Sequence, residues 1–200
     1  LPERQYGELE IKSDTGAVEV PEVFGFETAT VETDTGDVDW QASVARNLTI
    51  ETDTGAVNVD TDILEKLEVK TSTGDVSIDS VSNALLVSVE TNTGEVLLNS
   101  ISCRTFTVKS DTGKIRIKDT VAGFSGTVIS ETGDVTLENS DAVESLSIKT
   151  DTGDITGTLL SGKTIYTETD TGRVDVPATN GAPCAITTNT GDIKIEVIGK

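Results

Sequence analysis

Apolar and polar residues alternate along this chain in short runs, and the dipeptide Thr-Gly punctuates each run. Seven and five residues before the glycine stand Leu48 and Ile50, Leu67 and Val69, Val87 and Val89, Phe106 and Val108, or Leu146 and Ile148. Two and four residues after it stand Val57 and Val59, Val76 and Ile78, Ile115 and Ile117, or Ile193 and Ile195. Period-two alternation on both sides of a glycine turn predicts two half-buried strands in every unit. A looser column lies ten residues before the glycine: Tyr6, Phe26, Ala45, Leu64, Ala84, Cys103 and Val143. It is read as the inward residue of the returning segment. Trp40 stands where other units carry Val or Leu, and is expected in the core with a local bulge around it.

The units recur along the whole chain. Their glycines are Gly16, Gly36, Gly55, Gly74, Gly94, Gly113, Gly133, Gly153, Gly172 and Gly191, at intervals of 19 or 20 residues. So regular a period over 1–200 predicts one repeat domain with no linker. A unit of this size could be a hairpin or one coil of a solenoid. In a hairpin array nothing makes the same residue types align from unit to unit. In a parallel solenoid, equivalent positions stack ~4.8 Å apart. The charges four before the glycine alternate in sign through Glu51, Lys70, Glu90 and Lys109. Just after the glycine, Lys114 falls between Glu95 and Asp134, and Arg173 between Asp154 and Asp192. Opposite charges on neighbouring strands help and like charges hurt, so stacking explains the pattern. The prediction is an all-β, single-domain parallel β-helix of about ten coils, right-handed by the crossover preference and ~48 Å long. One coil cannot bury its apolar stripe alone, whereas each inward Val, Ile or Leu sealed by neighbouring coils contributes ~1.5–3 kcal/mol.

Composition narrows the function. The formal charge of −20 argues against nucleic acid and anionic membrane surfaces as partners and favours cations and basic surfaces. No run approaches the ~20 apolar residues of a transmembrane helix. Leu1-Pro2-Glu3-Arg4 lacks the apolar core of a signal peptide. There is no Met, so the chain reads as a processed or trimmed piece whose anchor, if it had one, lay upstream. The absence of His removes His-based triads and, with only Cys103 and Cys184, zinc clusters of the usual kind. Those two cysteines belong to the sixth and tenth units. Four rungs should hold them ~19 Å apart, too far for a disulfide, leaving two free buried thiols.

Asp-Thr-Gly, at 14–16, 34–36, 53–55, 111–113, 151–153 and 170–172, is also the motif around the catalytic residue of aspartic proteases. A protease needs a sheltered pair of carboxylates sharing one proton. Here the same slot holds Ser72, Asn92, Glu131 and Asn189 in other units, an interchange that suits a corner. Asp34, Asp53 and their equivalents, with Asp37, Asp75, Asp134, Asp154 and Asp192, could form a Ca²⁺ ladder. Ser72, Lys114 and Arg173 interrupt it, so solvated turn carboxylates are the preferred reading. The Thr-x-Thr runs, such as Thr33-Asp34-Thr35, resemble an ice-binding ladder. Their parity instead turns the threonines inward or into the corner, to hydrogen-bond backbone. The basic cluster Lys114, Arg116 and Lys118 is read as balancing adjacent acids, with a polyanion site as the alternative. Neither end shows a helical cap, so either short flanking segments fold over the ends or natural flanking sequence is missing; a monomer is expected, with end-to-end pairing as the alternative.

The units "VETDTGDVDW", "VKTSTGDVSI" and "IKTDTGDITG" resemble the bacterial β-strand-repeat proteins grouped as adhesins, a family of largely unknown function. The resemblance covers essentially the whole chain. It implies a β-helical domain outside the cytoplasmic membrane, often behind an N-terminal membrane segment, and it carries no catalytic residues to transfer. The expectation is a non-enzymatic surface or envelope module that binds a protein or cell-envelope polymer through its flank. No catalytic, cofactor-binding or metal residue is assigned. The rival is a polysaccharide- or polyanion-acting β-helix enzyme or carbohydrate-binding module. Such enzymes build clefts from long loops, and no interval here exceeds 20 residues.

Overall fold

A computed structural model of the protein describes residues 5–199; the Leu1–Arg4 start and Lys200 lie outside them. The described chain is all strand and turn, and every strand pair is parallel. One face stacks the long strands β1 (Gln5–Thr15), β3 (Gly25–Thr35), β5 (Ser43–Thr54), β7 (Lys66–Thr73), β9 (Ser82–Thr93), β11 (Ser102–Thr112), β13 (Val121–Thr132) and β15 (Ser145–Thr152). The other stacks β2 (Val18–Val20), β4 (Val38–Trp40), β6 (Val57–Asp60), β8 (Val76–Asp79), β10 (Val96–Asn99), β12 (Ile115–Lys118), β14 (Val135–Ala142) and β16 (Ile155–Leu159). Consecutive odd and even strands make one coil, so these are coils 1 to 8 of a parallel β-solenoid.

The alternation places the core as expected. Val31, Ile50, Val69, Val89, Val108 and Ile148 point inward and are almost completely buried. They stack in register, Val69 beside Ile50 and Val89. The alternating charges are equally in register, Glu51 beside Lys70 and Lys70 beside Glu90. Core volumes compensate between coils. Gly126 occupies an inward slot, and a Cβ there would lie 2.4 Å from the Phe106 ring, which fills the space from the coil beneath. At the first end Tyr6, Phe26 and Trp40 form an aromatic plug, with centroids 5.8 Å apart from Tyr6 to Phe26 and again from Phe26 to Trp40. Trp40 is fully buried and its Nε1–H donates to Ala42 O at 2.7 Å. Its own strand keeps register with both neighbours; the bulge lies on the other face, where Phe26 pairs with Val44 but Thr28 pairs with Asn47.

That bulge explains a correction. Of the column ten before the glycine, Phe26, Ala84 and Cys103 are buried, but Leu64 and Val143 are more than half exposed and Ala45 is half-buried. The inward residues are instead Val44, Ile63, Ala122 and Ala142. Units with an extra residue in this corner carry the inward slot one place earlier, so a fixed count back from the glycine slips to the outward neighbour.

The second corner, after the short strands, turns on Ser80, Ser100, Asp119 and Asn139, all at φ between 46° and 59°. Asn and Asp tolerate this left-handed conformation better than most residues. Here the corner is reinforced by Asn99 donating to Asp79 and Asn139 donating to Asp119 in the adjacent coils.

The last two units break the sequential order. Unit 9 is β17 (Lys163–Thr171) and β18 (Val174–Asp175); unit 10 is β19 (Ala182–Thr190) and β20 (Ile193–Val197). β15 pairs with β19 and β16 with β20, while β17 and β18 pair only with β19 and β20. The spatial order is therefore 8, 10, 9. The glycine column reports the same order independently: a Cβ on Gly191 would meet Gly153 O, and one on Gly172 would meet Gly191 O. The chain steps out by two rungs after coil 8 and then back by one, so the final step has the hand opposite to the rest. Cys103 and Cys184 are in consequence three rungs apart, ~14 Å, and not the four expected from the sequence. Both are buried free thiols. Burial pushes each thiol up to about 12.

Candidate functional site

The Asp-Thr-Gly corner is built by stacking. Each corner glycine except Gly172, in the outermost unit, donates its N–H to the threonine carbonyl of the next coil, as from Gly55 to Thr73 O at 2.9 Å. A Cβ on Gly74 would lie 1.9 Å from Gly55 O, and the same collision recurs at Gly36, Gly55, Gly94 and Gly113. The glycine is thus required by the close approach of the coils as well as by its backbone angle. At Gly16, in the first coil, nothing lies within 4 Å of such a Cβ.

The threonine three before the glycine points inward. Thr71, Thr91, Thr150 and Thr188 donate their hydroxyls to a glycine carbonyl of the coil beneath, at 3.1–3.5 Å. The equivalent hydroxyls of Thr33, Thr52, Ser110 and Ser130 are buried without a partner. The outward side of this column therefore belongs to the intervening residue and offers no flat threonine surface. The motif carboxylates Asp14, Asp34, Asp53, Asp111 and Asp170 are exposed, one per coil along one edge, and Asp151 is half-buried. They do not converge on a sheltered dyad.

The carboxylates just after the glycine have a role that the sequence reading missed. The Oδ1 of Asp37 accepts the N–H of Ala56 in the next coil at 2.8 Å. Asp75 does the same for Glu95, Asp134 for Asp154, Asp154 for Asp192 and Asp192 for Arg173, at 2.7–3.0 Å. In the backbone ladder the glycine N–H and the N–H two residues after it find carbonyls, as at Gly94 and Val96. The amide between them is the one the aspartate reaches. These acids are staples from one coil to the next. The recurrence of Asp after Thr-Gly was visible in the sequence; the bond it makes needed the stacked neighbour. Among the described residues no group of three or more His, Cys, Asp or Glu side chains is arranged to hold a metal ion. In the basic cluster, Arg116 pairs with Glu95 at 3.0 Å and Lys114 with Asp134 at 4.0 Å.

A second unforeseen element is a buried ion pair where the chain leaves coil 8. Lys163 is 1 % exposed. Its Nζ lies 2.7 Å from Asp141 Oδ1 and donates to Ala142 O at 2.5 Å. Asp141 also accepts the Ser161 hydroxyl and the Ala142 N–H. All the polar atoms of the pair are engaged, so the crossover is clamped to the start of coil 8.

The residues displaced outward by the corner bulges form an apolar feature of the flank. Leu64, Leu85, Phe124 and Val143 are each about half exposed, in coils 4, 5, 7 and 8. In coil 6 the corresponding place is Arg104, whose guanidinium lies 5.5 Å from the Phe124 ring centroid. Leu85, Arg104 and Phe124 border a shallow concavity of about 440 Å³, with Asn83, Ser102 and Glu144 at its rim. The ridge runs along the axis from coil 4 to coil 8, and the concavity from coil 5 to coil 8.

The Toastrack DUF4097 family model matches residues 1–87 and again residues 86–200. The chain belongs to that family. It is a Toastrack domain of unknown function in the form of a β-solenoid. The two matches meet within β9, whose strand is in register with both β7 and β11, so the Toastrack ladder continues through the junction. No curated protein and no solved structure matches the chain.

Proposed function

We propose that this Toastrack solenoid is a non-enzymatic module that binds a partner protein through its flank, on the ridge of Leu64, Leu85, Phe124 and Val143. The observation that carries the reading is the ridge itself. Four large apolar side chains half exposed along one flank, interrupted by Arg104 in coil 6, are more than the scattered surface apolar residues of an ordinary domain. Glu65 and Glu144 beside it, and the net charge of −20, favour a partner surface that mixes apolar with basic side chains. The polyanion alternative has less support, because Lys114 and Arg116 already face carboxylates. The remaining acids lie in columns along the axis, one per coil, rather than around a cleft.

The test uses a Lys-Leu amphipathic peptide as probe, a Lys-Ser peptide as charge control, and polygalacturonate as the polymer probe, at physiological salt. Binding that needs the leucines and falls at least about tenfold in L85S/F124S supports the ridge. Equal binding by wild type and L85S/F124S, or binding to polygalacturonate alone, refutes it. We also propose that the domain works outside the cytoplasmic membrane, supported by the likeness of its units to envelope repeat proteins. Protease added to intact cells should then degrade it; protection until lysis would contradict the placement.

A further inference from the structure

We infer that units 9 and 10 compete for the edge of coil 8, and that side-chain polarity decides the contest, driving the more polar unit 9 outermost as a cap. Both units fit that edge. Each has an apolar residue seven before its glycine, Ile165 or Cys184, to lie beside Leu146. Each also has one two after it, Val174 or Ile193, to lie beside Ile155. The difference is five before the glycine, where units 1 to 8 and 10 carry Ile or Val and unit 9 carries Thr167. In sequential order Thr167 would be sealed between Ile148 and Ile186, with its hydroxyl in an apolar stack. In the observed order Ile186 takes that place beside Ile148 and is buried, while Thr167 stays half-buried at the end.

The corners favour the same order. Asp154 staples Asp192 and Asp192 staples Arg173. Sequential stacking would place Arg173 between them, and with no carboxylate there the amide of Asp192 would lose its acceptor. One column over, Asn189 lies between Asp151 and Asp170, where sequential order would set the two carboxylates side by side. A terminal repeat with a polar outer face is what a solenoid end requires. β17 and β18 have ladder partners only in unit 10, so unit 9 covers the edge that the last unit of the chain would otherwise expose.

The experiment uses disulfide trapping in the full chain. Lys149 pairs with Thr187, and Thr187 with Glu168, all on the outer face. In the observed order K149C/T187C places its sulfurs on adjacent strands, ~4.8 Å apart at the backbone. K149C/E168C spans two strand spacings, beyond the ~7 Å limit for a disulfide. Oxidation should therefore link the first pair and leave the second as thiols. Exchanging the deciding residues, T167I/I186T, should reverse the pattern, with 149–168 linking and 149–187 not. T167V alone, a milder change, should produce a measurable fraction of 149–168 linkage. Linkage of 149–168 in the unexchanged chain would overturn the order. An unaltered pattern in both T167I/I186T and T167V would overturn polarity as its cause.

Discussion

Replacing Gly74 by alanine should cost about two to three times as much as replacing Gly16, although both glycines occupy the same slot of the repeat. At Gly74 the new Cβ would lie 1.9 Å from Gly55 O, so the two coils must separate by more than 1 Å to reach van der Waals contact. The bonds Gly55 N to Thr73 O and Val57 N to Asp75 O are both 2.9 Å and flank that point. Such a separation breaks them. Each lost bond is worth about 0.5–1.5 kcal/mol, rising to about 1–3 where a buried group is left unpaired. To this is added about 1–3 kcal/mol for an L-residue at φ near +157°. With both bonds lost the sum is about 2–6 kcal/mol, rising to about 3–9 where the groups are left buried and unpaired. Gly16 has φ +129° but no atom within 4 Å of the added Cβ, so only the backbone contribution remains, about 1–3 kcal/mol. Urea titrations of G74A and G16A, followed by far-UV circular dichroism, measure the contrast in their midpoints. Equal losses would show that conformational freedom alone explains the glycine, and that the coils do not approach as closely as described.

Three further outcomes are expected. K163M leaves the Asp141 carboxylate buried without its cation and should destabilise by about 3–5 kcal/mol, whereas K163M/D141N should recover a large part of the loss; thermal melts of the two variants decide it. A56N supplies the acceptor that the Asp75 amide lacks beneath it and should raise stability by about 0.5–1 kcal/mol, while D134A, which removes the staple on Asp154, should lower it by a similar amount; urea midpoints read both. Cys103 and Cys184, held up to about 12 by burial, should not react with Ellman's reagent in the native protein near neutral pH and should both react in denaturant. Because the folded state holds these thiol protons more tightly than the unfolded chain, whose thiols titrate near 9.0, the stabilisation is complete below that pH and is lost as pH rises toward 12.

The regular part of this molecule was legible because a solenoid repeats its physics. An inward Val or Ile five before the glycine, an acid at the corner and a period of 19 or 20 residues each follow from stacking one coil on the next. Legibility ended where one coil differs from its neighbours. Leu64 and Val143 were placed inward because a bulge cannot be counted from a glycine ten residues away. Lys163 was unremarked because nothing in its unit says that Asp141 waits three strands earlier. The staples of Asp37 and Asp134 need a partner in the following unit, so inspection of one unit shows only an exposed acid. The exchange of the last two coils is the clearest case. Thr167 and Arg173 are its signals, and they carry meaning only against Ile186 and Asp192 in the competing unit. The ridge bearing Phe124 escaped for a related reason, since its members are the residues that the bulges turned outward.

Distances between spin labels along the motif column test the stacked axis most directly. With one label at Asp34, partners at Asp111 and Asp151 lie four and six rungs away, ~19 and ~29 Å at the backbone. Labels at Asn189 and Asp170 should continue the series at ~34 and ~38 Å, with the residue later in the sequence the nearer of the two. Electron–electron resonance that yields this linear progression, with that final inversion, is the predicted result. Distances that fail to grow by one strand spacing per coil would contradict the account.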